Sequence, residues 1–184
     1  MNIRIVSGSF GGRKIEAPDG RRTHPMGDRP RSALFNIIHA ELEGAEVLDA
    51  FAGTGALGLE ALSRGATSAT FIERDRIAQH VLARNIASLG VDTHAKLIRT
   101  SVSNWLDTTD CSGFDIIFVD PPYHDLQLST VSRLFSLLKP GALMVLSTPD
   151  RCEALSEPGV VVVDNRSYGT VNLTFYRREE SAAD

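Results

Sequence analysis

The fold is decided by the stretch Asp49-Ala50-Phe51-Ala52-Gly53-Thr54-Gly55-Ala56-Leu57-Gly58. An apolar run over residues 47–51 leads into this stretch, and apolar residues at helical spacing over 57–64 continue from it. Glycines at this spacing let the backbone turn sharply and approach a bound ligand closely. The stretch therefore predicts a strand, a ligand-binding turn and a helix, the first unit of an α/β sheet.

The same order of strand, loop and helix recurs along the rest of the chain. The predicted strands are 47–51, 69–72, 96–99, 115–119 and 142–147, and the predicted helices are 57–64, 76–89 and 126–137. Short apolar strands that alternate with amphipathic helices are typical of a mostly parallel sheet covered on both faces. Two further β-rich runs, 160–164 and 171–176, predict a closing antiparallel hairpin at a sheet edge. The predicted fold class is therefore α/β and Rossmann-like.

The N-terminal 31 residues differ from the remainder in charge. They contain seven Arg and Lys but three Asp and Glu, which gives a net charge of +4. Because the whole chain has a net charge of −4, the remaining residues have a net charge of −8. Two short strands, 3–7 and 13–16, and a helix beginning near Pro30 are expected here. A basic end on an acidic body indicates either a phosphate-binding surface or an ordinary solvated arm. The candidate RNA contacts are Arg4, Arg13, Lys14, Arg29 and Arg31.

An acidic residue accompanies the glycine turn. Glu73 ends the next predicted strand, twenty positions after Gly53, where a carboxylate can accept both hydroxyls of a ribose. The arrangement fits two ligands, NAD and S-adenosylmethionine (SAM), or else a glycine-rich turn with a surface acid. Asp49 favours SAM, because a carboxylate at the strand end repels a pyrophosphate and attracts the ammonium of a methionyl group.

A second motif, Asp120-Pro121-Pro122-Tyr123, follows the predicted strand 115–119. Two prolines remove two backbone donors and make the loop stiff, which leaves the Asp120 carboxylate and the Pro121 carbonyl as acceptors. A planar NH2 group can donate one hydrogen to each of them. Tyr123 offers an aromatic face on which a base can stack. The motif therefore predicts methylation of an exocyclic amine, with a rigid strand-terminating loop as the alternative.

The remaining composition is typical of an intracellular protein. The chain of 184 residues fits one domain, with a basic N-terminal arm over 1–31, a catalytic core over 32–178 and a polar tail over 179–184. No apolar run reaches the roughly 20 residues needed to span a membrane. Two isolated cysteines and five scattered histidines predict neither a disulfide nor a metal site. We therefore expect a cytoplasmic monomer without a metal.

From Arg4 to Tyr176 the chain resembles the bacterial small-subunit (16S) rRNA guanine-N2 methyltransferases. The most specific matching segments are 11–13 (GGR), 28–36 (DRPRSALFN) and 51–66 (FAGTGALGLEALSRGA). The resemblance implies a class I SAM-dependent methyltransferase fold, SAM as the cofactor and N2-methylguanosine as the product. It also implies 16S rRNA as the partner, within the small ribosomal subunit or an assembly intermediate.

The resemblance also implies roles for individual residues. Asp120 and Pro121, with Pro122 and Tyr123, form the expected catalytic loop. The residues expected to hold the cofactor are Asp49, Phe51, Ala52, Gly53, Gly55, Glu73, Arg74, Ser101 and Val102. Ser101 stands where the family often has an Asp or Asn, so adenine contacts are expected from its Oγ or from backbone near Val102.

Three other functions remain open at this point. Similar tetrads act on adenine N6 in DNA or RNA and on glutamine side-chain amides, although the glutamine enzymes favour Asn at the position of Asp120. A non-catalytic RNA-binding or ribosome assembly factor on a methyltransferase fold is the third alternative. Intact Asp49, Glu73 and Asp120 argue against a non-catalytic factor.

Overall fold

The computed structural model of the protein describes residues 2–18, 26–111, 113–150 and 155–180. The helices are α1 (Asp28–Ile37), α2 (Ala56–Ser63), α3 (Arg76–Leu89), α4 (Val102–Thr108) and α5 (Leu128–Leu134). The strands are β1 (Asn2–Arg4), β2 (Lys14–Glu16), β3 (Glu46–Asp49), β4 (Ser68–Ile72), β5 (Ala95–Ile98), β6 (Phe114–Val119), β7 (Leu138–Pro149), β8 (Val160–Tyr168) and β9 (Val171–Arg178). Short 3-10 helices span His39–Glu41 and Phe135–Leu137.

The main sheet has seven strands in the order β5-β4-β3-β6-β7-β9-β8. Strands β3 to β7 are parallel, and β9 pairs antiparallel with both β7 and β8. The chain winds outward from β3 to β5 and then returns to add β6 on the other side of β3. Ligands of such sheets bind at the carboxyl ends of the strands where the winding reverses, here β3 and β6. The predicted Rossmann-like fold with a C-terminal antiparallel hairpin is confirmed.

Apolar residues are buried on both faces of the sheet. On β3, Val47 belongs to the core that packs against α1, α2 and α3, whereas Leu48 belongs to the core on the α4 and α5 side. Ile116 and Ile117 on β6 divide in the same way. Successive side chains of a strand point to opposite faces, so a continuous apolar run is what a doubly covered strand requires.

The N-terminal segment is fixed to the main sheet through α2. The carboxylate of Glu60, which is 0% exposed, accepts hydrogen bonds from the backbone N–H groups of Val6 at 2.8 Å and Ser7 at 3.2 Å. Gly8 has φ of +89°, and a Cβ there would lie 2.0 Å from the carbonyl oxygen of Ser63. Residues 2–18 are therefore a docked hairpin rather than a solvated arm.

Several elements differ from the sequence-based expectation, among them β1 and β8, which were expected over 3–7 and 160–164 and span Asn2–Arg4 and Val160–Tyr168. The helix expected over 126–137 begins at Leu128, because Gln127 has φ of +50°, and it ends in a 3-10 turn. Strand β7 extends on both sides of 142–147, because a register shift between Phe114 and Ile116 of β6 accommodates its first residues. Helix α4 was not predicted; the hydroxyl of Ser101 caps it by accepting a hydrogen bond from the N–H of Asn104 at 3.1 Å.

No helix in the described part of the chain is long and apolar enough to cross a membrane.

Candidate active site

A cavity of about 480 Å³ opens at the carboxyl ends of β3, β4 and β6. It contains all but one of the residues expected to bind the cofactor or to act in catalysis. These are Asp49, Phe51, Ala52, Gly53, Glu73, Arg74, Ser101, Val102, Asp120, Pro121, Pro122 and Tyr123. A larger cleft of about 790 Å³, near Arg133 and Arg178, contains none of them. Among residues 2–18, 26–111, 113–150 and 155–180, no group of His, Cys, Asp or Glu could hold a metal ion.

Each of the three glycines of the turn is required for a different structural reason. Gly53 has φ of +55° and nothing lies within 4 Å of a Cβ built on it, so its backbone borders open space. Gly55 does not line the cavity; it begins α2 with φ of +85°, and a Cβ there would lie 2.3 Å from Leu82 Cδ1. A Cβ on Gly58 would lie 2.3 Å from the ring of Phe71. Gly55 therefore serves packing between helix and sheet, and its expected contact with the cofactor stays a prediction.

Asp49 is a buried carboxylate with one oxygen left over. It is 1% exposed, and its Oδ2 accepts a hydrogen bond from the N–H of Gly58 at 3.0 Å. Its Oδ1 has no hydrogen-bond partner among the described residues. Burial raises the pKa of Asp49 well above its ordinary value, and the charges of Asp120 and Glu73 raise it further. A cationic group bound in the cavity would supply the missing partner and favour the charged carboxylate.

Glu73 is held by backbone donors at the end of β4. Its Oε1 accepts a hydrogen bond from the N–H of Gly53 at 2.9 Å, and its Oε2 accepts one from the N–H of Asp75 at 3.0 Å. Gln79 donates a side-chain hydrogen bond to the backbone carbonyl of Glu73 at 2.8 Å. Each carboxylate oxygen keeps a lone pair, so the oriented carboxylate can still accept two hydroxyl groups.

The residues at the ends of β4 and β5 complete this side of the cavity. Ser101 and Val102 begin α4, and the Ser101 Oγ keeps one acceptor lone pair and its own hydrogen after capping that helix. The N–H of Ala52 is used by the carbonyl of Ile72 at 3.0 Å. Phe51 is half-buried, and Arg74 is exposed at the rim.

The tetrad lies across the cavity from Glu73, after β6. Tyr123 is 41% exposed, and its hydroxyl hydrogen-bonds to the Oγ of Ser147 on β7 at 2.9 Å. Burial raises the pKa of Asp120 to about 6, and a hydrogen bond from Ser147 limits the rise. Burial also raises the pKa of the Tyr123 hydroxyl, with Ser147 opposing it. At neutral pH the loop therefore presents an ionised carboxylate in a poorly hydrated place.

The predicted RNA-contacting residues of the N-terminal region differ in exposure and in hydrogen bonding. Arg4, Arg13, Lys14 and Arg29 are exposed, and Arg13 also donates a hydrogen bond to the carbonyl of Ser88 at 2.7 Å.

Arg31 is 1% exposed, and its guanidinium donates hydrogen bonds to the carbonyls of Met26 at 3.1 Å and Arg4 at 2.7 Å and to the carboxylate of Asp28 at 2.8 Å. The expected phosphate contact of Arg31 is therefore wrong in this structure: its donors are used internally. Arg21 and Arg22, which contributed to the predicted charge, lie outside the described residues.

Comparison with known families identifies the chain. The family model described as Conserved hypothetical protein 95 matches residues 3–177. The chain belongs to this family.

Curated relatives connect the Conserved hypothetical protein 95 family with rRNA methylation. The chain is 32% identical over 180 residues to a protein of Haemophilus influenzae named Ribosomal RNA small subunit methyltransferase D, covering 95% of this chain and 93% of that one. It is 42% identical over 121 residues to the Escherichia coli protein of the same name, covering 66% and 60% of the two chains. The resemblance inferred from the sequence motifs is thereby confirmed.

Solved structures agree on the fold. The Escherichia coli protein yhhF has a TM-score of 0.87 and 34% sequence identity, covering 97% of this chain and 99% of that chain. The Haemophilus influenzae protein HI0767 has a TM-score of 0.82 and 30% identity, covering 98% and 100%. The fold is therefore similar over nearly the whole length of this chain and of these two proteins.

Two residues that are not among the predicted site residues contribute to the site. Asn85 is 2% exposed. Its side chain pairs with the backbone N–H and carbonyl of Glu16 and donates to the carbonyl of Thr54 at 3.0 Å. A polar residue on the apolar face of α3 was the signal for Asn85. Ser147 on β7 hydrogen-bonds to Tyr123, 24 residues away along the chain, and no local pattern could have indicated that.

Proposed function

We propose that this protein is a SAM-dependent methyltransferase that modifies the exocyclic N2 amine of a guanine in 16S rRNA. The observation that carries the proposal is the single cavity that contains both the buried, unpartnered oxygen of Asp49 and the acceptor loop of Asp120. One group fits a cationic amino acid, and the other fits an NH2 group. NAD offers no role for the acceptor loop, and its pyrophosphate would be repelled by Asp49.

The cofactor half of the cavity, defined by Asp49, Gly53 and Glu73, suits SAM. Oδ1 of Asp49 would accept a hydrogen bond from the methionyl ammonium, and the oriented carboxylate of Glu73 would accept the ribose hydroxyls. Ser101 and Val102 border the space available to the adenine. Bound SAM would supply the electrophilic methyl group of its sulfonium.

The amine half, defined by Asp120, Tyr123 and Ser147, suits the target base. The Asp120 carboxylate and the Pro121 carbonyl would each accept one hydrogen of the guanine NH2, which concentrates lone-pair density on the nitrogen. Transfer of the methyl group, with the rest of SAM leaving as a neutral thioether, would make the nitrogen positively charged and acidic, and Asp120 would receive its proton. Positioning and electrostatics therefore supply the catalysis, with no strong base required beforehand.

The relatives support 16S rRNA as the substrate, because their names specify the small ribosomal subunit. The exposed Arg4, Lys14 and Arg29 offer contacts to phosphate on the docked hairpin and on α1. We place the activity in the cytoplasm, in a monomer of one domain that needs no metal. With so few exposed basic residues, part of the recognition would come from the ribonucleoprotein surface of the subunit or of an assembly intermediate.

The test is methyl transfer from isotope-labelled SAM to small ribosomal subunits that lack their native modifications. Deproteinised 16S rRNA and duplex DNA are tested in parallel, and the products are digested for nucleoside mass spectrometry. We expect label in N2-methylguanosine from the subunits, with less from naked rRNA and none from DNA. Label in N6-methyladenosine would keep the chemistry and reject the substrate. SAM binding without label in any arm would favour the non-catalytic assembly factor instead.

A further inference from the structure

A buried serine lies directly behind the acceptor loop. Ser147 on β7 is 2% exposed, and β7 is hydrogen-bonded on both sides, to β6 and to β9. Its Oγ lies 2.9 Å from the hydroxyl oxygen of Tyr123. The pairing of Val119 with Leu146 places Ser147 beside Asp120, and the Ser147 hydroxyl lowers the pKa of that carboxyl. One side chain on a rigid strand therefore lies next to both polar groups of the amine half.

Either hydroxyl can donate in the bond between Tyr123 and Ser147, and the neighbouring carboxylate of Asp120 favours one direction. An ionised carboxylate can only accept, so a hydrogen bond from Ser147 to Asp120 would use the single hydrogen of the Ser147 hydroxyl. The Tyr123 hydroxyl would then donate to the Ser147 Oγ. The result would be a directed chain from Tyr123 through Ser147 to Asp120, in which each bond polarises the next.

The loop needs such support because its backbone offers little. Pro121 and Pro122 have no N–H group, so neither can donate a hydrogen bond that holds the loop to its neighbours. The described backbone contact within the loop is the bond from the N–H of Asp125 to the carbonyl of Pro122 at 3.0 Å. A side-chain hydrogen bond to β7 therefore orients this loop, as backbone N–H groups orient the carboxylate of Glu73.

We propose that Ser147 is a positioning residue for methyl transfer, which holds the Asp120 carboxylate and the Tyr123 ring in fixed relation through its hydroxyl. The proposal rests on the proposed function, because it assigns Ser147 a task in the amine half of that site. Ser147 does not contact the cofactor half, so its effect should fall on turnover and on the ionisation of Asp120. It should leave SAM affinity unchanged.

Four variants test the proposal: Ser147→Ala, Tyr123→Phe, the double variant, and Ser167→Ala as a control. Ser167 lies on β8, where its exposed hydroxyl bonds to Asn172. We expect Ser147→Ala to lower kcat about tenfold with the Kd for SAM within about twofold of wild type, since it removes a hydrogen bond to a charged group. Tyr123→Phe keeps the ring and should lower kcat less. The double variant should match Ser147→Ala, because the Tyr123 hydroxyl then has no partner to lose.

The deciding readout is the titration of Asp120 in the free protein, followed by carbonyl-detected NMR on carbon-labelled aspartate. Ser147→Ala should raise the pKa of Asp120, whereas Tyr123→Phe should move it less and Ser167→Ala should leave it unchanged. This measurement needs no substrate, so it holds even if guanine N2 is not the target. An unmoved titration in Ser147→Ala, or additive losses of kcat in the double variant, would overturn the positioning role. If Ser147→Ala fails to fold, an unchanged kcat in Tyr123→Phe overturns the proposal by itself.

Discussion

The cofactor half and the amine half of the cavity hold their carboxylates by different means. In the cofactor half, backbone N–H groups of Gly58, Gly53 and Asp75 donate to Asp49 and Glu73. In the amine half, the side-chain hydroxyl of Ser147 hydrogen-bonds to Tyr123 and lowers the pKa of Asp120. Backbone donors are present whatever the side chains, whereas the amine half depends on the identity of one serine. The difference predicts that the two halves respond separately to substitution.

The largest difference between the effect on turnover and the effect on SAM binding is expected from Asp120→Ala. Removing the carboxylate takes away an acceptor that acts on the developing charge, so kcat should fall on the order of 10²–10³-fold. The Kd for SAM should stay within about threefold of wild type, because the cofactor half keeps its backbone donors. Methyl-transfer kinetics at saturating SAM and saturating subunits measure the loss. A kcat within a few-fold of wild type would remove Asp120 from catalysis.

The converse effect is expected from Asp49→Asn. The asparagine Oδ1 can still accept the Gly58 N–H, but its NH2 group would face the methionyl ammonium in place of a carboxylate oxygen. The KM for SAM should rise about 30-fold, as expected for loss of a hydrogen bond to a charged group. The value of kcat at saturating SAM should change little, and steady-state kinetics separate the two parameters. A large loss of kcat with an unchanged KM would mean that the halves are not separable.

The pH dependence should belong to the amine half. Asp120 has a pKa raised to about 6, and it accepts a hydrogen from the amine only when ionised. The value of kcat/KM for the RNA substrate should therefore fall below about pH 6 and lose roughly tenfold for each further pH unit. A pH profile at saturating SAM checks this, with Asp120→Ala as the control that should lack the limb. A flat profile down to pH 5 would contradict the assignment.

The smallest effect concerns the stability of the free protein. The pKa of Asp49 is raised in the folded state, so the folded protein binds its proton more tightly than the unfolded chain. The contribution of protonated Asp49 to folding stability is fully present below pH 3.8, the ordinary pKa of the group. It is lost as the pH rises through the raised pKa of the folded protein. The Tm of wild type relative to Asp49→Asn should therefore fall as the pH rises, by a few degrees. A constant difference in Tm between wild type and Asp49→Asn from pH 4 to pH 8 would show that ionisation of Asp49 does not destabilise the folded protein.

The cofactor half could be predicted from the sequence because its parts are close along the chain. Gly53 and Glu73 are linked by the fixed length of one helix and one strand, so their spacing carries the geometry. The acceptor loop was predicted from residues 120–123 for the same reason. Ser147, which fixes that loop, is brought to it by strand pairing between β6 and β7, and pairing register is a tertiary property that no short motif encodes.

The N-terminal region shows the same limit for charge. Its net charge left a phosphate-binding surface and a solvated arm as alternatives, because charge alone does not distinguish an exposed arginine from a buried one. Arg31 is buried because the carbonyls of Met26 and Arg4 converge on its guanidinium. Gly55 illustrates the converse, since it matched the glycine spacing while serving the packing of α2 against Leu82.

The most direct test of the account is the Kd for SAM of wild type, Asp49→Asn and Asp120→Ala, measured side by side by isothermal titration calorimetry at one pH. Division of the cavity into two halves predicts that Asp49→Asn binds SAM about 30-fold more weakly than Asp120→Ala, which should bind like wild type. Equal affinities in the two variants, or weaker binding by Asp120→Ala than by Asp49→Asn, would contradict it.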